Sequence, residues 1–308
     1  ELATQLSGGT ITNLPDTSNP IWNVVYASIP ESDKWGGWVS LVCPMDNHAD
    51  LYKNHQPKPA IPKNSDKRPL YAGIVIDAGH GGKNDIGCVG TTYGTIEKSI
   101  NLPRAQELEN VLSNHKSYQY AHTNPSQRLI NYWVKLTREA DVYISLTKRA
   151  KIAMRFWDKC KERIERLQKE NKGIWWLGMA FVALHHNSPE DHKRTIVYRR
   201  DNEGGSGILS EKVLTQVKQI QTNQPREYRT ESTTERMDLI KHLREEGWGF
   251  PAILIEIAYL SSPYDEALAT GRGEGIDKDF PSNFVIRTHR GIDDFFVPQP
   301  IPGYGPGL

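Results

Sequence analysis

The longest apolar run in the chain covers residues 174–184, Ile174-Trp-Trp-Leu-Gly-Met-Ala-Phe-Val-Ala-Leu184, and no charged side chain interrupts it. It is about half the roughly 18–20 residues that a membrane-crossing helix needs, so it reads as a strand covered on both faces, and no membrane span is expected in the chain. Residues 73–77 and 252–258 repeat the pattern on a shorter scale, and 133–138 is a further strand candidate. Helical spacing falls between these runs. Ile100, Ala105, Leu108 and Leu112 recur over 97–112, where Pro103 predicts a kink or a late start. A longer helix opens at Ser145 and carries Leu146, Ala150, Ala153, Trp157, Cys160, Ile164 and Leu167 at three- and four-residue steps, with Gly173 as its stop. Ser210 is placed as the cap of a helix bearing Leu214, Val217 and Ile220, and 284–296 as a closing helix. Strands alternating with helices specify an α/β fold: a central, mainly parallel or mixed sheet flanked by helices.

This alternation begins only at Tyr71. Residues 1–70 are rich in Pro, Asn, Ser, Asp and Lys, offer short strands near 22–29 and 38–42, and end in a proline-stiffened linker. They are expected to be a small N-terminal extension or docking module, with a possible protein partner. Residues 71–297 form the expected catalytic domain, and 298–308 a flexible tail. The stretch 221–235 is polar and reads as an exposed insertion. With 38 basic against 37 acidic residues, the net charge of +1 gives no electrostatic reason to expect a nucleic-acid partner.

Two strings carry the chemistry. Ile74-Val-Ile-Asp-Ala-Gly-His80-Gly-Gly ends a strand in a glycine loop, with Glu97 following in the first turn of a helix. Ala183-Leu-His185-His-Asn-Ser ends the long apolar strand. Ligands of open α/β sheets gather beyond the carboxyl ends of strands, so His80, Glu97 and one of the two histidines can converge. Two imidazoles and a carboxylate are the donor set of a catalytic zinc (Zn2+) that keeps a position open for water. Strand alternation sends His185 and His186 to opposite faces, so only one of them is a ligand, and His192 reads as a surface loop residue. A glycine turn with an incidental surface histidine is the plainer account of His80.

Glu256 stands in Pro251-Ala-Ile-Leu-Ile-Glu-Ile-Ala-Tyr-Leu260, where a carboxylate is rarely buried without a partner. It is either half of a buried salt bridge with arginine or a proton carrier beside the metal. Cys43, Cys88 and Cys160 are widely spaced and give no disulfide framework. Cys160 reads as a buried hydrophobe. Cys88 lies close enough to the glycine loop to be weighed as a nucleophile, though the sequence places no base beside it.

These strings resemble the zinc-dependent N-acetylmuramoyl-L-alanine amidases. The strand entering His80, Thr95-Ile-Glu97-Lys-Ser-Ile-Asn-Leu, Leu136-Thr-Arg138, Ser145-Leu-Thr-Lys-Arg149-Ala-Lys-Ile-Ala, Ala-Leu-His185-His-Asn-Ser and the segment around Glu256 occur in the family's order over about residues 72–296. The resemblance implies zinc ligands His80, Glu97 and His185, with His185 favoured over His186, and a catalytic Glu256. It implies peptidoglycan as substrate, hydrolysis between N-acetylmuramic acid and L-alanine, and action at the cell wall. Departures include His186, Cys88 and Ser262, and longer connections at 115–132, 155–174 and 221–240. The competing expectations are a silent or gated wall-docking part of a phage or phage-tail-like particle, and a zinc peptidase cutting within the stem peptide.

Overall fold

The computed structural model describes residues 69–114, 130–170, 174–188, 192–199, 204–232 and 250–296, with positions 239 and 242 and the strand segments 24–28 and 38–42. Strands β1 (Val24–Ser28) and β2 (Trp38–Val42) pair antiparallel, matching the two short strands expected there. The tail at 298–308, the linker and Cys43 lie outside the described residues.

The main sheet has six strands in the order β4-β3-β5-β8-β6-β7. They are β3 (Leu70–Ala78), β4 (Ile130–Leu136), β5 (Trp175–Asn187), β6 (Arg194–Arg199), β7 (Glu227–Ser232) and β8 (Ala252–Tyr259). β4, β3, β5 and β8 run parallel to one another, whereas β6 is antiparallel to β8 and parallel to β7. The sheet is therefore mixed, as expected, with β3, β5 and β8 ending on the same side.

Among the described residues, five helices cover it: α1 (Glu97–Ser113), α2 (Leu146–Lys169), α3 (Gly204–Val217), α4 (Pro263–Thr270) and α5 (Phe280–Phe296). Side-chain alternation in β3 divides the core. Ala72, Ile74 and Ile76 pack with Ala105 and Leu108 of α1, Val213 of α3 and Phe284 of α5. Val75 faces the other way with Phe181, joining Ala150, Ala153 and Trp157 of α2. Both faces are covered, which is why β5 needs an unbroken apolar sequence.

Several boundaries differ from expectation for local reasons. α1 starts at Glu97 and runs on through Pro103, which faces solvent, so the carbonyl deprived of its N–H partner is open to water. Ser145 caps α2 by accepting from the Lys148 amide at 3.3 Å, but the helix ends at Lys169, ahead of Gly173. Ser210 is not a cap. α3 begins at Gly204, and the Ser210 hydroxyl donates to the Gly207 carbonyl within the helix. The insertion expected at 221–235 contains edge strand β7.

Candidate metal centre

Glu97 is the first residue of α1, where the helix N-terminus favours a carboxylate, yet it is only 2% exposed. Both of its oxygens are surrounded by donors. Oε1 accepts from the His186 amide at 3.0 Å and Asn101 Nδ2 at 3.1 Å, and lies 3.2 Å from His185 Nδ1. Oε2 accepts from the Cys88 amide at 2.9 Å and lies 3.1 Å from His80 Nε2. Burial alone would raise the proton affinity of this carboxyl. The His185 and His80 imidazoles outweigh that penalty and hold it well below the usual carboxylate range.

The two imidazoles arrive from strand ends. His80 follows β3 and His185 is near the end of β5, and a bond from the Gly79 amide to the Leu184 carbonyl at 3.0 Å keeps those ends together. Their rings meet edge to face, with centroids 5.0 Å apart. Glycine is required on both sides of the cluster. A Cβ on Gly79 would lie 2.4 Å from His185 Nε2, and one on Gly87, whose φ is 73°, would lie 2.4 Å from Glu97 Oε2.

One potential ligand atom from each of His80, Glu97 and His185 falls within 4.8 Å of the others. The arrangement fits a divalent ion in its chemistry as well as its spacing. Burial disfavours a charged His80 ring, but Glu97 and Asp85 raise its pKa to about 9 against that, and Glu97 likewise raises that of His185. Both rings are thus drawn toward positive charge around one anion, a demand that a metal cation can meet in place of protons.

His186 has the other role that strand alternation allows. Its buried ring contacts Asn101 Oδ1 through Nδ1 at 2.7 Å, and burial lowers its pKa to about 3, so it stays neutral and turned away from the cluster. Glu256 pairs in register with His185 across β5 and β8 and is half-buried at the same end of the sheet. Its charge contributes to the raised proton affinity of His185 and Cys88.

Cys88 does not suit a nucleophile. Burial, followed by the negative charge of Glu97, pushes its thiol far up, and the thiol sits 3.5 Å from the carbonyls of His186 and Asn187. Cys160 is on the buried face of α2 and pushed up to about 12 by burial, as befits an apolar residue, and both cysteines are free. His192 is a loop residue, as expected, though half-buried and stacked edge-on against Tyr259.

Sequence reasoning missed two residues that orient the donors. Asp85 holds His80 Nδ1 at 2.5 Å, leaving Nε2 to face Glu97. Asn101 joins Glu97 to the Gly79 carbonyl, and its position four residues after Glu97 on the same helix face was the available signal.

Fold and donor set define an α/β protein with a cluster of two histidines and a glutamate, spaced so that it could hold a metal ion, at the carboxyl ends of parallel strands. The profile of the family described as N-acetylmuramoyl-L-alanine amidase matches residues 74–273. The chain belongs to that family. It is 25% identical over 207 residues to the probable cell wall amidase LytH of Staphylococcus aureus, covering 66% of this chain and 53% of LytH. The chain thus spans about half the length of the curated relatives it matches. Among solved structures, Cwp6 from Clostridium difficile shares the fold, with a TM-score of 0.50 and 17% identity over 73% of this chain and 29% of Cwp6. The catalytic domain of CwlV, an amidase from Bacillus (Paenibacillus) polymyxa, aligns with a TM-score of 0.48 and 24% identity, over 73% of this chain and 97% of that domain. Among the described residues, no helix is long and apolar enough to cross a membrane.

Proposed function

We propose that the chain hydrolyses the amide bond between N-acetylmuramic acid and L-alanine in peptidoglycan, with zinc held by His80, Glu97 and His185, and that it acts at the cell wall. The observation that carries this reading is the buried Glu97 carboxylate contacting both imidazoles in a cluster small enough for one ion. Family membership supplies the reaction class. Residues 71–297 are taken as the catalytic unit.

Zinc in such a site makes a water nucleophilic near neutral pH and polarises the scissile carbonyl. The chain's own groups would do the rest. Glu256, beside His185 on the neighbouring strand, takes the proton released by the attacking water and returns it to the departing L-alanine amine. Asp85 fixes the His80 ring by its far nitrogen. Buried Glu97 keeps its negative charge and so balances part of the ion's charge.

Digestion of purified peptidoglycan with zinc-loaded protein tests this, alongside chelated protein and Glu256→Ala. Release of stem peptides beginning at L-alanine, lost in both controls, is the expected result. Fragments cut within the stem peptide would assign a peptidase instead, and an unchanged rate in Glu256→Ala would refute its role.

A further inference from the structure

His80 has φ of 60°, and it is the one non-glycine residue at positive φ among the described residues. Side chains disfavour that conformation because Cβ crowds the following carbonyl, so surrounding contacts must hold it. Two buried arginines supply them. Arg149 donates from Nη2 to the His80 carbonyl at 2.9 Å and from Nη1 to the Ala78 carbonyl at 2.8 Å. Arg138 donates from Nε to the same Ala78 carbonyl at 2.8 Å and from Nη2 to the Gly79 carbonyl at 3.0 Å. Three consecutive carbonyls, the last on the proposed ligand itself, are gripped by two guanidiniums.

The grip extends to the other donor-bearing element. Arg138 Nη2 also reaches the Lys98 carbonyl at 3.2 Å, in the first turn of α1 next to Glu97. Arg149 is 2% exposed, is ion-paired with Asp77 at 2.6 Å, and donates from Nε to the Ile144 carbonyl just before α2. A charge pair this deeply buried is costly to desolvate, so it is weak evidence for a role in stability alone. A planar guanidinium spreads five N–H donors over a fixed fork, whereas an ammonium offers three from a single point, so a lysine would not reproduce this spread of contacts.

We infer that Arg149 and Arg138 are positioning residues for the metal centre: they hold the 78–80 main chain so that the His80 imidazole meets Glu97 and His185. This rests on the metal reading proposed above. A purely structural role would lower thermal stability and leave the zinc affinity of folded protein unchanged.

The test compares zinc affinity of the full chain, by competition with a chelating dye, in wild type, Arg149→Lys, Arg138→Lys and the core substitution Phe284→Leu. NMR of the metal-free His80 ring gives a second readout. The lysine variants are expected to fold, to lose about 10–100-fold in zinc affinity and to shift the His80 signals, while Phe284→Leu lowers stability alone. Wild-type zinc affinity in folded lysine variants would overturn this inference while leaving the metal reading intact. Unfolding of both variants would assign the arginines to the fold and overturn it too. A wild type that binds no zinc would overturn the metal reading and this inference together.

Discussion

Glu97 and Asp293 are both buried carboxylates, 2% and 7% exposed, yet their surroundings drive them in opposite directions. Around Glu97, two amides, an asparagine amide and two imidazoles converge, and it stays ionised despite burial. Asp293, on α5, meets the Tyr132 hydroxyl at 2.5 Å and His289 Nε2 at 3.5 Å. There burial dominates and raises its pKa to about 7. Burial penalises both anions alike, and the number and charge of nearby donors decide which one keeps its charge. An anion held by two imidazoles is a place for a cation; a carboxyl that keeps its proton is a core hydrogen-bonding group.

The largest expected effect follows from removing the retained charge. Glu97→Gln should lose zinc binding and activity together, exceeding the ~100-fold typical of residues that only support metal ligands. Calorimetric zinc titration checks it, and near-normal affinity would erase the contrast with Asp293. Next in size, Glu256→Gln should keep zinc yet lower kcat on peptidoglycan by about 10²–10⁴-fold, the range typical of a lost acid–base group. Asp85→Asn weakens the acceptor on His80 Nδ1 and should cost about tenfold in zinc affinity, read by the same titration.

The smallest effect concerns Asp293. Its folded pKa of about 7 exceeds the ordinary 3.8, so the folded chain retains a proton that the unfolded chain releases. Its contribution to stability is therefore present below about 3.8 and is lost as pH rises toward 7. Asp293→Asn, which cannot ionise, should flatten thermal stability across that window, differing least from wild type at the acidic end, where both side chains are neutral, and most near pH 7. Parallel melting curves for both proteins would show it.

The sheet centre was legible because β3, β5 and β8 are covered on both faces and read as apolar runs. The clustering of His80, Glu97 and His185 was legible because each lies in a short string at an element boundary. Edge strand β7, Glu-Tyr-Arg-Thr-Glu-Ser, has no such run, since neighbouring β6 and its own surface charges define it. The start of α3 was hidden by Gly204-Gly-Ser-Gly, a turn-like string locally. Its Ser206 hydroxyl accepts from the Ala252 amide, a contact across 46 residues that local propensity cannot foresee. The grip of Arg149 on Asp77 spans 72 residues, so although both arginines stood in the matched strings, their work on the His80 loop emerges only in three dimensions.

The most direct test of the metal centre is a crystal of zinc-loaded protein measured at the zinc absorption edge. The expected result is one anomalous peak at about 2.0–2.2 Å from the His80 and His185 imidazoles and the Glu97 carboxylate. A peak ligated by His186, a peak elsewhere, or none in zinc-saturated crystals would contradict it.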